Sequence, residues 1–210
     1  RLVLFMTLPS AAGMALLGKE IVSLIFERGK FTDFDVMQSV GPLRAAAFGL
    51  VFYACIKVVQ PAFYTIGRRF VPMMVSLGII VFTATVNSIT VFVLGWDHTA
   101  LAWATAIGLA LNFAALYLCM RKFAGGMETR RLTDALWRVS AAVAIMAAVC
   151  VAAQLTIMSD WAHLRFAARA TTLIGTIAVA SGAYFFAASK LGIEEAGEFL
   201  SLLGRRVGRK

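Results

Sequence analysis

The sequence predicts an all-α fold, a polytopic transmembrane helical bundle with six membrane-spanning helices, and three observations carry that prediction. Hydrophobic residues make up 60% of the 210 and charged residues 15%, against about 45 to 50% and about 25% in soluble domains. Six apolar stretches, Leu2–Phe26, Val36–Tyr64, Phe70–Leu94, Ala100–Met120, Ala135–Met158 and Ala167–Ala188, each reach the roughly 20 residues that a spanning helix needs. Arginines and lysines gather in every second gap between them. Helices rather than barrel strands follow, because hydrocarbon offers backbone groups no partners and the stretches lack the two-residue alternation of a barrel.

The first stretch, Leu2–Phe26, is too long for a signal-peptide core and lacks a small-residue cleavage pattern after it. The chain opens on Arg1 with this helix beginning almost at once, so it is expected to be the C-terminal part of a longer membrane protein. Pro9 inside the stretch removes a backbone donor and predicts a kink. In the gap FERGKFTDFD, Gly29 suits a helix C-cap, and Thr32 with Asp35 resembles a capping box for the next helix. So short a link makes its two helices antiparallel neighbours.

The second stretch carries Arg44, Lys57 and Gln60, with Tyr53 and Tyr64, and an internal proline, Pro61. Charges near a bilayer centre cost about 2.5 to 3.5 kcal/mol on insertion scales, so those retained usually face a bundle interior or a watery cavity. Tyr53, Lys57, Gln60 and Tyr64 are spaced to share one helix face. Arg44 lies thirteen residues before Lys57 and points away from that face at about 3.6 residues per turn, so the two cations form no single site. Snorkelling of Arg44 and Lys57 toward opposite interfaces is the alternative reading.

The third stretch aligns Thr83, Asn87 and Thr90, and the fourth aligns Thr105, Gly108 and Asn112. Interhelical hydrogen bonding and close packing are the expected use of such residues. A sharper reading gives Asn87 and Thr105 to a coupling cation such as Na⁺. The gap LGWDHTA between these helices carries no Lys or Arg. The longest internal gap, Arg121 to Asp134, is basic and divides the chain into 1–122 with four helices, a loop 123–134, a two-helix unit 135–190 and a basic tail 191–210. The last pair holds Gln154, Ser181 and Tyr184 but no membrane-centred charge. Its Ala, Val and Gly surface suits a lipid tail or plain bilayer contact.

Counting the flanks sets the orientation. Arg1, Arg68, Arg69, Arg121, Lys122, Arg130, Arg131, Arg138, Lys190, Arg205, Arg206, Arg209 and Lys210 fall on one side, and Lys19, Arg28, Lys30, Arg165 and Arg169 on the other. The richer side is cytoplasmic by the positive-inside rule, with both termini there. The net charge of +9 then meets anionic lipid headgroups, and no nucleic acid is expected. Cys55, Cys119 and Cys150 all sit in apolar segments without metal-ligand spacing. His98 and His163 fall in the non-cytoplasmic loops without a catalytic pattern, Asp97 beside His98 reads as a turn, and the eleven Asp and Glu are expected at or beyond segment ends. No enzyme, metal site or cofactor is predicted.

The run FMTLPSAAGMALLGKEIVSLIFERGKFTDFD and the later KVVQPAFYTIGRRFVP closely resemble the second lobe of the MurJ (MviN) lipid II flippase family of the MOP exporter superfamily. Leu8, Pro9, Phe26, Gly29, Phe31, Thr32, Lys57, Val58, Pro61, Phe63, Tyr64 and Pro72 stand in the family's characteristic places. The match is strong from about Leu2 to Lys122 and rests beyond that on the number and placement of two further helices. Gln60 stands where alanine is usual, and GWDHTALAWAT replaces a glycine-rich pattern.

The resemblance implies a fourteen-helix transporter of which this chain is the last six helices: four from the second lobe, then a pair forming a groove for the undecaprenyl tail. It implies a multi-pass protein of the bacterial inner membrane, working by alternating access, that moves lipid II for peptidoglycan synthesis. Lys57 and Gln60, with Arg44, Tyr53 and Tyr64 as further cavity candidates, would offer the second lobe's wall to a pyrophosphate. The expected partners are lipid II, membrane phospholipids, the preceding N-terminal helices and cell-wall synthesis proteins; Na⁺, H⁺ or the membrane potential would supply the drive. Another exporter of the superfamily, handling a polysaccharide-lipid or a drug by cation antiport, is the nearest alternative, and a membrane scaffold or lipid-modifying enzyme the one from another class.

Overall fold

Helices account for all regular structure among the described residues of the computed structural model, which are 1–27, 30–92, 95, 97–123, 129–158, 161 and 166–193, with backbone alone for 129–132. In chain order they are α1 (Leu2–Leu16), α2 (Gly18–Phe26), α3 (Asp33–Thr65), α4 (Phe70–Phe92), α5 (His98–Phe123), α6 (Thr129–Thr156) and α7 (Phe166–Lys190). Five are long and apolar enough to cross a membrane, over 33–65, 70–92, 98–123, 133–156 and 166–190. The expected Gly29 cap, Arg28, His163, Arg165, residues 124–128 of the expected 123–134 loop and the tail beyond 193 lie outside the described residues, and 129–134, read from the sequence as loop, are already part of α6.

The first stretch departs from the expectation of one continuous helix. It is a bent pair, α1 and α2 meeting at 68°, and the break falls at Leu17 rather than at Pro9. Pro9 lacks the N–H that Phe5 O would accept four residues back. The Tyr184 hydroxyl donates to that carbonyl at 2.7 Å, so α1 runs through its proline. At Leu17 the backbone leaves the helical region (φ −88°, ψ 13°), and Gly18, a poor helix former, opens α2. A further departure sits in α2: Glu20 is buried at 8% exposure, whereas the sequence placed every carboxylate at a segment end.

Two compact units emerge, one of 27–128 and one joining 1–26 to 129–210. In the first, α3 begins at the predicted box: the Thr32 N–H and hydroxyl both donate to Asp35 Oδ2 at 2.8 Å. It ends at Gly67, whose φ of 72° lets the Arg68 N–H reach back to Phe63 O at 2.9 Å, a Schellman stop. α3 packs chiefly on α5, and α4 on α5. Small residues set the approach, since a methyl at Gly41 would strike Thr99 and one at Gly49 would press on Leu109 and Ala106. Phe63 and Leu116, both at 0% exposure, and Ile56 form the core.

In the second unit α6 packs on α7, α1 on α6, and α2 on α7. Phe5, Leu17, Ala142, Met146, Cys150, Ala180, Tyr184 and Ala188 belong to one buried cluster. The Phe5 and Tyr184 rings meet at 5.2 Å between centroids, tilted by 41°. Arg138 on α6 donates to the Leu191 and Gly192 carbonyls at 3.3 Å, caring for the acceptors that the end of α7 leaves over.

Candidate functional site

The polar stripe lies on α3, on a face adjoining the one that buries Ile56 and Phe63. Tyr53 is 48% exposed and Tyr64 59%, Lys57 is exposed and Gln60 half-buried. The structure brings Lys57 and Tyr53 together, the ammonium lying 5.1 Å from the ring centroid. This is the geometry in which an aromatic face holds a cation near apolar surface. A lysine so placed, with hydroxyl and amide groups within three helical turns, can bind an anionic oxygen without moving the backbone. Arg44 is exposed on the same helix, about 20 Å along its axis at about 1.5 Å per residue, and does not join the stripe.

Asn87 and Thr105 sit on helices that do pack, with the Asn112 amide donating to Ser76 Oγ at 3.4 Å and Thr83 against Gly108. Thr105 is exposed and its hydroxyl donates within its own helix to Leu101 O at 2.9 Å. Asn87 Oδ1 is buried and without a hydrogen-bond partner, as is Asn112 Oδ1. Among the described residues no hydrogen bond joins Asn87 to Thr105. His98, set aside in the sequence as a turn residue, approaches Gln38 O at 3.3 Å, the acceptor that Pro42 leaves over; the contact requires the proton on Nε2.

Between α6 and α7 lies a cavity of about 430 Å³ lined by Val149, Ala152, Ala153, Thr156, Ile157 and Thr171 together with Thr172, Gly175, Thr176 and Val179. Its lining is chemically more apolar than the threonines suggest. Thr156 donates to Ala152 O at 2.7 Å and Thr171 to Ala167 O at 3.0 Å, so these hydroxyls are consumed by their own helices. A groove of this kind suits an aliphatic chain rather than a polar ligand.

One constellation escaped the sequence reading. The Gln154 amide nitrogen on α6 donates to Leu16 O at 2.8 Å and to Glu20 Oε1 at 3.0 Å. Farther along α2, Ser23, only 3% exposed, accepts from Trp161 Nε1 at 2.9 Å. The signal was present as two polar residues, Glu20 and Gln154, each inside an apolar stretch. Their 134-residue separation hid the pairing.

Comparison with known proteins gives one consistent result. The family model described as lipid II flippase MurJ matches residues 1–172. A probable lipid II flippase MurJ of Vibrio cholerae serotype O1 is 30% identical over 193 residues, which cover 92% of this chain and 36% of that protein. One from Buchnera aphidicola subsp. Schizaphis graminum is 28% identical over 195 residues, 92% of this chain and 37% of its own length. One from Rhizobium meliloti is 30% identical over 224 residues, with shares of 98% and 38%. The chain spans a little over a third of the length of these relatives.

Proposed function

The chain belongs to the lipid II flippase MurJ family, and on that premise we propose that it forms the C-terminal part of a transporter carrying lipid II across the bacterial inner membrane. The observation that carries this reading is the outward stripe of α3, where Lys57 is held over Tyr53 in a helix otherwise fit to span a bilayer. Its role is to meet the pyrophosphate of the headgroup: a compact ammonium flanked by hydroxyl and amide donors compensates anionic oxygens in a site that excludes bulk water. The α6–α7 groove takes the undecaprenyl tail, leaving the headgroup to the cavity of the whole protein. Transport then proceeds by alternating access, two lobes rocking about a central site, with both termini of this chain cytoplasmic. Na⁺ or H⁺ coupling, or the membrane potential, drives the cycle.

The test is Lys57→Ala in the intact protein. The variant is expected to reach the membrane at normal abundance yet support growth of depleted cells about tenfold less well, the factor that a lost contact of about 1.4 kcal/mol yields. Lipid II should accumulate on the cytoplasmic face. Full growth would remove Lys57 from the cavity and leave it a snorkelling residue.

A further inference from the structure

We propose that the bend between α1 and α2 is a binding site for a monovalent metal cation, held by the Glu20 carboxylate and the Leu16 carbonyl oxygen with the Gln154 side chain closing it. Glu20 is 8% exposed, and its Oε2 is buried without a hydrogen-bond partner. Among the described residues no cation pairs with it: Lys19, its neighbour in sequence, is exposed, and Arg169 stacks over the Trp161 ring at 5.8 Å. A buried carboxylate lacking compensation is among the most unfavourable arrangements in a protein interior, and more so in a membrane. A protonated Oε2 would in turn need an acceptor, and the structure offers it none. The missing component is therefore positive and oxygen-seeking.

The break supplies the remaining ligands. The C-terminal end of α1 carries the negative end of its dipole and carbonyls freed from the helical ladder. Leu16 O and Glu20 Oε1 already face a common point, since both lie within 3.0 Å of Gln154 Nε2. Turning that amide about its last bond exchanges nitrogen for oxygen, an assignment that the hydrogen-bond network alone decides. The set becomes one carboxylate, one backbone carbonyl and one amide oxygen. Interrupted membrane helices coordinate monovalent ions with such a set, using unwound carbonyls and half-helix C-termini. One carboxylate leaves the site neutral with Na⁺ bound. No group of three His, Cys, Asp or Glu suited to a metal exists among the described residues, which fits a hard monovalent ion and not a zinc-type centre. The site is separate from Asn87 and Thr105, which belong to α4 and α5, and its expected effect is to pin the bend.

The experiment measures the melting temperature of the intact protein in detergent, in NaCl and in N-methylglucamine chloride at equal ionic strength. Because an ion that binds only the folded state stabilises it, Na⁺ should raise the Tm saturably by a few degrees. Glu20→Gln should abolish the response, Asn87→Ala should retain it, and Glu20→Asp, which keeps the charge but withdraws it by one methylene, should need about tenfold more Na⁺, the scale on which disturbed ligand shells lose affinity. Should Glu20→Gln fail to fold, the Glu20→Asp shift decides alone. Equal Na⁺ responses in wild type and the Glu20 variants would overturn the proposal, as would no response. A response to pH but not to Na⁺, lost in Glu20→Gln, would overturn it in favour of a proton. The readout is stability, so its outcome is independent of whether the protein transports lipid II.

Discussion

A proline within a helix leaves one carbonyl without its donor, and this chain answers that deficit twice with a side chain from another helix. Tyr184 supplies a hydroxyl to Phe5 O for Pro9, and His98 faces Gln38 O for Pro42. The first is fully buried, so its loss should show. Tyr184→Phe is expected to destabilise the fold by about 1 to 3 kcal/mol, the scale of an unsatisfied buried acceptor. Pro9→Ala restores the N–H four residues on, so Tyr184→Phe in that background should cost much less. A double-mutant cycle on thermal or denaturant unfolding measures the coupling; additivity of the two changes would mean that the hydroxyl is not the proline's substitute.

At the scale of the helix, the seams are set by small residues facing hydroxyls. Gly108 on α5 sits against Thr83 on α4 so closely that a methyl there would collide with the threonine hydroxyl. Gly108→Ala should therefore destabilise by about 1 to 3 kcal/mol, as overpacking does, although alanine is the better helix former. Thr83→Ala removes the obstructing atoms and should rescue it, bringing the double variant to wild-type stability or above; unfolding midpoints of the four proteins decide the matter. The spans themselves were legible because length and hydropathy are local properties of a stretch. The α3 start was legible for the same reason, Thr32 and Asp35 being three residues apart. The break at Leu17 was not: Gly18 is one of two glycines in the stretch, with Gly13, and the donor that meets the freed Leu16 carbonyl, Gln154, lies 138 residues away. The stripe of Tyr53, Lys57, Gln60 and Tyr64 could be read from helical spacing, whereas the burial of Glu20 depends on packing that no local pattern encodes.

For the molecule as a whole, the α6–α7 groove links architecture to the proposed substrate. Gly175 lines it, and a side chain added there would enter open space. Gly175→Phe should thus leave the unfolding midpoint within about 1 kcal/mol of wild type, as substitutions that meet no packed neighbour do, while occluding the groove and weakening binding of an undecaprenyl lipid to the intact protein at least about tenfold, the effect of roughly 1.4 kcal/mol. Unaltered lipid affinity would detach the groove from the tail. The unit that contains this groove is assembled from separated parts of the chain, with Phe5 and Tyr184 179 residues apart. At about 5 to 20 residues per second, α1 emerges from the ribosome on the order of ten seconds before the tyrosine that completes its proline turn. During that interval α1 and α2 hold an unmatched carbonyl and a buried-to-be carboxylate while 27–128 finishes. A chain halted before Gln154 and Tyr184 are made leaves the Leu16 and Phe5 carbonyls without these donors, so the α1–α2 bend should be cut faster by protease in such a truncated chain than in the finished one.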